Sequence, residues 1–377
     1  MRILHTGDLH LDSPFCAYGT RDAEKQREMG RALLRRIFEC AERESCDMML
    51  ISGDLFDSRF VTPESAELFC SLVENCSIPV ALSPGNHDYY TDGGFYASCR
   101  ARLGEKITVF SSPELQAYDF DDLKVRLYGY AFTSASLMQS PLSAPELPVD
   151  NGYLKILCAH ADLSSPVSRY APITLPEIER IGFDYAALGH IHNREAQEDE
   201  SGRVRYCGFA EGRSFDERGE GGVLIVDLDA ESCRVKRISL SRRAFFVEEL
   251  DVSDMATQEQ LNDAIRKTAS SYASIKGAHI RISLGGRADE SFVERAALSI
   301  PSITEQSGVE YIEIIDGTMP LIDGEYLGRD ATLRGELYRT LLPKLNSDDA
   351  NVRRLASRAL RIGLAAIEGK SIFGASE

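Results

Sequence analysis

Three short apolar-rich runs near the amino terminus constrain the fold of this chain more than any other feature. Arg2–Thr6, Met48–Ser52 and Val80–Ser83 have the length of strands, and they close on Gly7-Asp8, Gly53-Asp54 and Pro84-Gly85-Asn86-His87-Asp88. Helical patterns lie between them. Met29, Leu33, Leu34, Ile37 and Ala41 recur near helical spacing over Glu24–Arg43, and Thr62 with Pro63 marks the start of a second helix over Pro63–Glu74. This alternation predicts β-α-β units whose largely parallel strands are buried on both faces. Loops at the carboxyl ends of such strands converge, and an open α/β sheet binds its ligands there.

Further on, the chain becomes richer in strands: Lys124–Ala131, Tyr153–Ala159, Tyr185–Leu188, Val204–Cys207, Gly222–Asp227 and Arg234–Leu240. At 377 residues it exceeds one average domain of roughly 100–200 residues. The expected fold class is α/β, with two packed sheets and helices outside them (an αββα sandwich) over residues 1–243. A small α+β domain over 244–325 is read from Phe246–Val252, a helix at Gln258–Ser271, His279–Leu284, a helix from Ser291, and Tyr311–Ile315. Residues 326–377 form a helical segment. Its last helix, Asp348–Glu368, carries Val352, Leu355, Ala359, Ile362 and Ala366 on one stripe beside Arg353, Arg354, Arg358 and Arg361.

Charge narrows the choice of partners. The formal net charge of −17 argues against a protein that grips polyanions through a wide basic surface. The distribution is uneven: residues 331–377 hold eight basic and five acidic residues, which leaves −20 for residues 1–330. No window approaches the roughly 18 apolar residues of a membrane helix, and Met1-Arg2-Ile3-Leu4-His5 lacks the marks of a signal peptide. A cytoplasmic protein with no membrane partner is expected. The nine cysteines stand singly, without a C-x-x-C pair, and read as small buried hydrophobes in a reducing compartment.

Five polar clusters carry the chemistry: Asp8-Leu9-His10, Gly53-Asp54, Gly85-Asn86-His87-Asp88, His160 and Gly189-His190-Ile191-His192. Five of the seven histidines fall in them. Carboxylate, imidazole and amide without thiolate suit Mn²⁺, Fe²⁺ or Zn²⁺ better than a thiophilic metal or an all-oxygen Ca²⁺ site. In Asp-x-His and His-x-His, positions i and i+2 of an extended segment project to the same side. The glycines at 7, 53, 85 and 189 allow tight turns directly after strands. Each cluster alone has a bland reading, such as a loop carboxylate or a solvated turn. All five, in this order and each after a strand-like run, do not.

The order D-x-H, G-D, G-N-H-[DE], H, G-H-x-H resembles that of the calcineurin-like metallophosphoesterases. The likeness covers about residues 1–240. The opening Ile3-Leu4-His5-Thr6-Gly7-Asp8-Leu9-His10-Leu11-Asp12-Ser13-Pro14-Phe15 and the stretch from Tyr206-Cys207-Gly208 to Gly221-Gly222-Val223 resemble the SbcD nuclease subunits, above all the YhaO-like DNA-repair exonucleases. The resemblance implies two divalent ions, manganese first, with iron, zinc or magnesium as the other candidates. One ion would be held by Asp8, His10, Asp54 and His192, the other by Asp54, Asn86, His160 and His190, with Asp54 bridging. A hydroxide shared by the two ions would be the nucleophile. His87, unligated and near the scissile phosphate, would protonate the leaving oxygen or stabilise its charge. Asp88 would orient His87 or a neighbouring loop, or be purely structural. Tyr89 and Tyr90 are candidates for stacking on a base, with core packing as the blander role. His5 is assigned to packing or support behind the ligands, and His279 to structure.

The resemblance also implies DNA as substrate, a capping role for the small domain, an SbcC/YhaN-like ATPase as partner for the terminal helices, and a possible homodimer. The stripe on the last helix would serve that docking, or else pack on its own domain. Two other functions stay open: a phosphoesterase of the same fold acting on small phosphodiesters, nucleotides or phosphoproteins, and a non-catalytic scaffold for an ATPase.

Overall fold

The computed structural model describes residues 1–14, 20–145, 147–192, 202–288, 290–320 and 324–369. Phe15, Cys16, Lys370 and Glu377, which entered the sequence reading, lie outside the described residues, as does the side chain of Arg354. The chain divides into two compact units, Met1–Ala244 and Phe245–Glu377.

In chain order the first unit contains β1 (Arg2–Thr6), α1 (Thr20–Arg43), β2 (Met48–Ile51), α2 (Pro63–Asn75), β3 (Val80–Leu82), α3 (Phe95–Leu103) and β4 (Ile107–Val109). It continues with β5 (Gln116–Phe120), β6 (Val125–Gly129), β7 (Leu154–His160), α4 (Leu175–Ile181), β8 (Tyr185–Gly189), β9 (Val204–Tyr206), β10 (Gly219–Leu228) and the start of β11 (Cys233–Asp251). One sheet runs β11-β10-β1-β2-β3-β4, parallel from β1 to β4 and antiparallel between β1 and β10. The other runs β5-β6-β7-β8-β9 and is parallel except for the β5–β6 pair.

Side-chain alternation explains why the strands read as nearly continuous apolar runs. Ile3, Met48 and Leu50 join Leu127, Ile156 and Ala187 in a core between the two sheets. Their neighbours Leu4, Met49 and Ile51 point the other way and pack with Leu34, Ile37 and Phe69 of α1 and α2. On the far side Leu157, Ala186 and Leu188 cover Ile178 and Ile181 of α4. Four layers therefore alternate helix, sheet, sheet, helix, and the αββα sandwich expected from the sequence holds. The helix starts are encoded locally. Thr62 accepts from Ser65 N at 3.3 Å, and Thr174 with Glu177 closes a capping box at α4.

In the second unit the end of β11 is followed by α5 (Gln258–Ser270), β12 (Ala278–Gly285), β13 (Arg287–Ala288), α6 (Glu290–Ser307), β14 (Tyr311–Asp316) and β15 (Met319–Pro320). β11, β12 and β14 form one sheet, β13 and β15 a two-stranded pair. Leu261, Ile265, Ile280, Ile282, Ile303 and Ile312 fill the core beneath α5 and α6. Arg234–Leu240 and Phe246–Val252, read from the sequence as two strands, both fall on β11, apart from Val252, which lies one residue past its end. The residues between them, Ser241-Arg242-Arg243-Ala244-Phe245, contain no glycine or proline to interrupt an extended backbone.

Three helices end the described chain: α7 (Gly324–Arg329), α8 (Leu333–Leu345) and α9 (Ala350–Ile367). Leu360 and Leu364 of α9 pack on Leu327, Leu337 and Leu341. The stripe named from the sequence is not the side that packs. Leu355 is 72% exposed, and Val352 and Ile362 are each 37% exposed. Among the described residues no helix is long and apolar enough to cross a membrane.

Candidate metal centre

All five clusters stand at carboxyl ends of strands in the first unit. Asp8 and His10 follow β1, Asp54 follows β2, Asn86 and His87 follow β3, His160 ends β7, and His190 and His192 follow β8. The two sheets thus contribute ligands from opposite sides of one seam. Asp8 (φ 49°), His10 (φ 45°), Asp54 (φ 47°) and His190 (φ 101°) all have positive φ. The extended Asp-x-His and His-x-His geometry expected from the sequence is therefore not what aims these side chains. Turns that are unfavourable for non-glycine residues do so, held by the loops around them. Asp8 N donates to Gly53 O at 3.0 Å, His10 N to Asp54 O at 2.9 Å, and His190 N to both Asp8 carboxylate oxygens at 3.0 Å. A Cβ on Gly85 would collide with the Asp54 carboxylate, so only glycine lets that loop close on the site.

Among the described residues three overlapping groups bring potential ligand atoms within 4.8 Å of one another: Asp8 with His10 and His192, Asp8 with Asp54 and His160, and His10 with Asp54 and His87. His160 Nε2 lies 3.3 Å from Asp54 Oδ2 and 3.0 Å from Asn86 Oδ1. His10 Nε2 lies 3.7 Å from Asp54 Oδ2. The His190 and His160 rings are 5.0 Å apart. Asp8 reaches farther than its assignment to one ion implied, with Oδ1 3.8 Å from His160 Nδ1 as well as 3.9 Å from His192 Nε2.

Hydrogen bonds behind the ligands fix their tautomers. His160 Nδ1 donates to the Ser52 carbonyl at 3.0 Å, and His192 Nδ1 to Glu217 Oε1 at 2.8 Å. In each ring Nε2 is the nitrogen that faces the cluster, and deprotonation there would offer its lone pair to a cation. His192 Nε2 sits 3.2 Å from His10 Nε2, while His10 Nδ1 lies 3.2 Å from Asp57 Oδ1. Lone pairs and carboxylates crowd one space with few hydrogens between them. That surplus of acceptors fits divalent cations, and the nitrogen and oxygen donors suit a first-row metal or magnesium.

The carboxylates and imidazoles of the cluster also shift one another's pKa values. Burial raises the Asp54 pKa, but the imidazoles of His160, His10 and His87 outweigh it and hold the carboxyl well below the usual carboxylate range. Burial lowers the pKa of His160, but Asp54 and Asp8 outweigh it and push the ring up to about 9. Burial and the neighbouring His160 push His190 down to about 4. Burial opposes ionisation of Glu217, yet His192 and Arg213 bring it down to about 2.

The other candidates separate clearly. His87 is the exposed member of the cluster, its side chain 44% accessible and its Nδ1 donating to Asp57 O at 3.0 Å. Asp88, grouped with it as a catalytic candidate, faces the protein interior. Its carboxylate accepts from Phe56 N at 3.0 Å, Gly85 N at 2.9 Å and the Tyr96 hydroxyl at 2.5 Å. Those contacts tie the loop after β3 to Phe56 and to Tyr96 of α3. Tyr89 and Tyr90 are half-buried against the cores. His5 is buried between Tyr185 Oη (2.9 Å) and Ser52 Oγ (2.8 Å), and the Ser52 carbonyl in turn holds His160. His279 lies in the second unit, near Gly277 O and the rings of Phe245 and Tyr311.

Sequence reasoning missed Asp57, Arg213 and Glu217. Asp57 carries a local signal, because it closes Gly53-Asp54-Leu55-Phe56-Asp57. Glu217 and Arg213 lie inside the Tyr206–Val223 stretch used for the family resemblance, but no spacing singles them out.

Fold and site together define a phosphoesterase class, with an αββα sandwich whose strand ends carry candidate Asp, His and Asn metal ligands from both sheets. The family profile of the calcineurin-like phosphoesterases matches residues 1–194, over half of the chain, and the chain belongs to that family. It is similar to the uncharacterized metallophosphoesterase YhaO of Bacillus subtilis, 29% identical over 315 residues that span 78% of this chain and 74% of that protein. It is also similar to the DNA double-strand break repair protein Mre11 of Haloferax volcanii, with 26% identity over 71% of this chain and 58% of that protein. The SbcD component of the nuclease SbcCD of Staphylococcus epidermidis is 23% identical over 61% of this chain and 66% of its own length. The chain thus spans less than two thirds of the latter two proteins.

Proposed function

We propose that this protein is a two-metal phosphodiesterase that cleaves DNA as an exo- or endonuclease in repair or end processing, with manganese as its ion. The carrying observation is that all eight cluster residues converge at one seam, with His87 accessible beside the ligands. The similarity to Mre11 and to a nuclease subunit supports DNA as the substrate class.

Asp8, His10, Asp54 and His192 would hold one ion, and Asp54, Asn86, His160 and His190 the other. Two such ions would supply a water of lowered pKa and polarisation of the phosphoryl oxygens. The protein's own groups do the rest. Ser52 and Glu217 lock the ring orientations of His160 and His192. Asp57 O accepts from His87 Nδ1, so His87 Nε2 is the nitrogen that can carry a proton to the leaving oxygen. The exposed stripe of α9 would dock an SbcC/YhaN-like ATPase through Val352, Leu355 and Ile362, an amphipathic helix face meeting an apolar groove or helix. We also place the protein in the cytoplasm, since cysteines that stand singly, without a C-x-x-C pair, suit a reducing compartment.

The test is cleavage of single- and double-stranded DNA by the purified chain with Mn²⁺, Mg²⁺ or chelator. Cleavage that requires Mn²⁺ is the expected outcome. The balance of −20 over residues 1–330 favours one rival, a phosphoesterase of small phosphodiesters. Hydrolysis of a small ester while DNA stays intact, with or without the ATPase, would establish that rival instead.

A further inference from the structure

A cation stands beside the ligand cluster on a built support. Arg213 lies between β9 and β10, and its backbone N–H, Nε and Nη2 donate to the Glu217 carboxylate at 2.7, 3.1 and 2.7 Å. The same carboxylate, only 7% exposed, accepts from His192 Nδ1 at 2.8 Å. One buried acid therefore fixes both a ligand imidazole and a guanidinium. Arg213 Nη1 is not used by that clamp. It lies 3.7 Å from Asp57 Oδ1, too far for a hydrogen bond. Asp57 in turn is 3.2 Å from His10 Nδ1 and 4.0 Å from His87 Nδ1, which places the guanidinium next to the reacting end of the site. Arg213 also borders an open cleft of about 490 Å³ with Ser13, His192, Ser214, Asp216 and Glu217. That volume falls in the range of roughly 300–1,000 Å³ typical of small-ligand sites.

An anionic phosphate entering this site meets Asp8, Asp54 and Asp57 in a chain of net charge −17. A rigid guanidinium whose Nη1 makes no hydrogen bond among the described residues offsets that repulsion and matches the geometry of phosphate oxygens better than a flexible ammonium. We propose that Arg213 recognises the substrate's phosphate, taking an anionic oxygen on Nη1, and that Glu217 positions it while orienting His192. The inference rests on the phosphodiesterase reading above and adds the residue that reads the anion.

The test uses the full chain loaded with Mn²⁺, inorganic phosphate as the calorimetric probe, and a short DNA oligonucleotide for kinetics. Metal content is measured for every variant. Arg213→Ala should keep its metal, bind phosphate about tenfold more weakly or worse, and raise KM more than it lowers kcat. Arg213→Lys, which keeps the charge without the fork, should recover part of the loss and serves if the alanine variant misfolds. Glu217→Gln keeps an oxygen for His192 but loses the charge that holds the guanidinium, so phosphate affinity should fall by a similar factor. Full affinity in Arg213→Ala, or a wild-type protein that binds no phosphate, overturns the proposal. Full affinity in Glu217→Gln overturns the positioning role. Arg213-dependent phosphate binding by a wild-type chain that hydrolyses no phosphoester would instead remove the catalytic reading and leave Arg213 as an anion-binding residue.

Discussion

His87 differs from the other cluster histidines in being exposed, with one nitrogen committed to a backbone carbonyl and the other left over. Removing it should leave the ligands in place. His87→Ala is expected to retain its metal, measured by elemental analysis, while turnover falls by roughly 10²–10⁴-fold, the worth of a positioned general acid. Asp54 is the opposite case. It lies in two of the three potential ligand groups, and its Oδ1 accepts from His87 N at 3.0 Å. Asp54→Asn should therefore lose both ions, and retention of a full complement would exclude Asp54 as the bridge. The ligand residues were legible in the sequence because histidine is scarce there and because each follows a strand-like run. Glu217 and Arg213 were not, since their roles arise from a contact with His192 made across 25 residues of chain.

At the scale of elements, the loop after β3 depends on Asp88. That carboxylate joins the loop to Phe56, beyond β2, and to Tyr96 of α3. Asp88→Asn replaces one acceptor oxygen with a donor among donors. It should cost roughly 1–3 kcal/mol, seen as a lower midpoint in denaturant. Strand and helix positions were readable where the period was sustained, as in β1, α2 and α5. The short α3 and α4 and the edge strands β4 and β5 were not read, because a few residues cannot establish a period. α9 shows another limit. Two apolar stripes share one helix, and periodicity alone singles out the exposed one, while Ala356, Leu360 and Leu364 face the core. Replacing Leu355 and Ile362 with aspartate should therefore leave thermal stability within about 0.5 kcal/mol. Association with an SbcC/YhaN-like ATPase, measured by co-purification, should be lost, and undiminished association would exclude the docking role.

For the molecule as a whole, candidate ligands from both sheets mean that bound ions would link the two halves of the sandwich. Anything that binds only the folded state adds stability in proportion to RT ln(1 + [L]/Kd), about 2.7 kcal/mol at a hundredfold excess over Kd. Mn²⁺ should therefore raise the melting temperature of the wild-type chain, and the rise should vanish in Asp54→Asn. An unchanged melting temperature across a metal titration would mean that the cluster does not bind under those conditions. The two-sheet architecture was readable because strands buried on both faces are apolar at successive positions. The turns that aim the ligands were not, because positive φ at Asp8, His10, Asp54 and His190 has no compositional mark.

The division of ligands between the sheets also orders events during synthesis. Asp8, His10, Asp54 and Asn86 leave the ribosome first, while His160, His190 and His192 follow only after the second sheet has begun to emerge. At about 5–20 residues per second, several seconds separate the two sets. A nascent chain holds half of the candidate ligands throughout that interval, so a two-metal centre built from them would be inert until both sheets had formed and met.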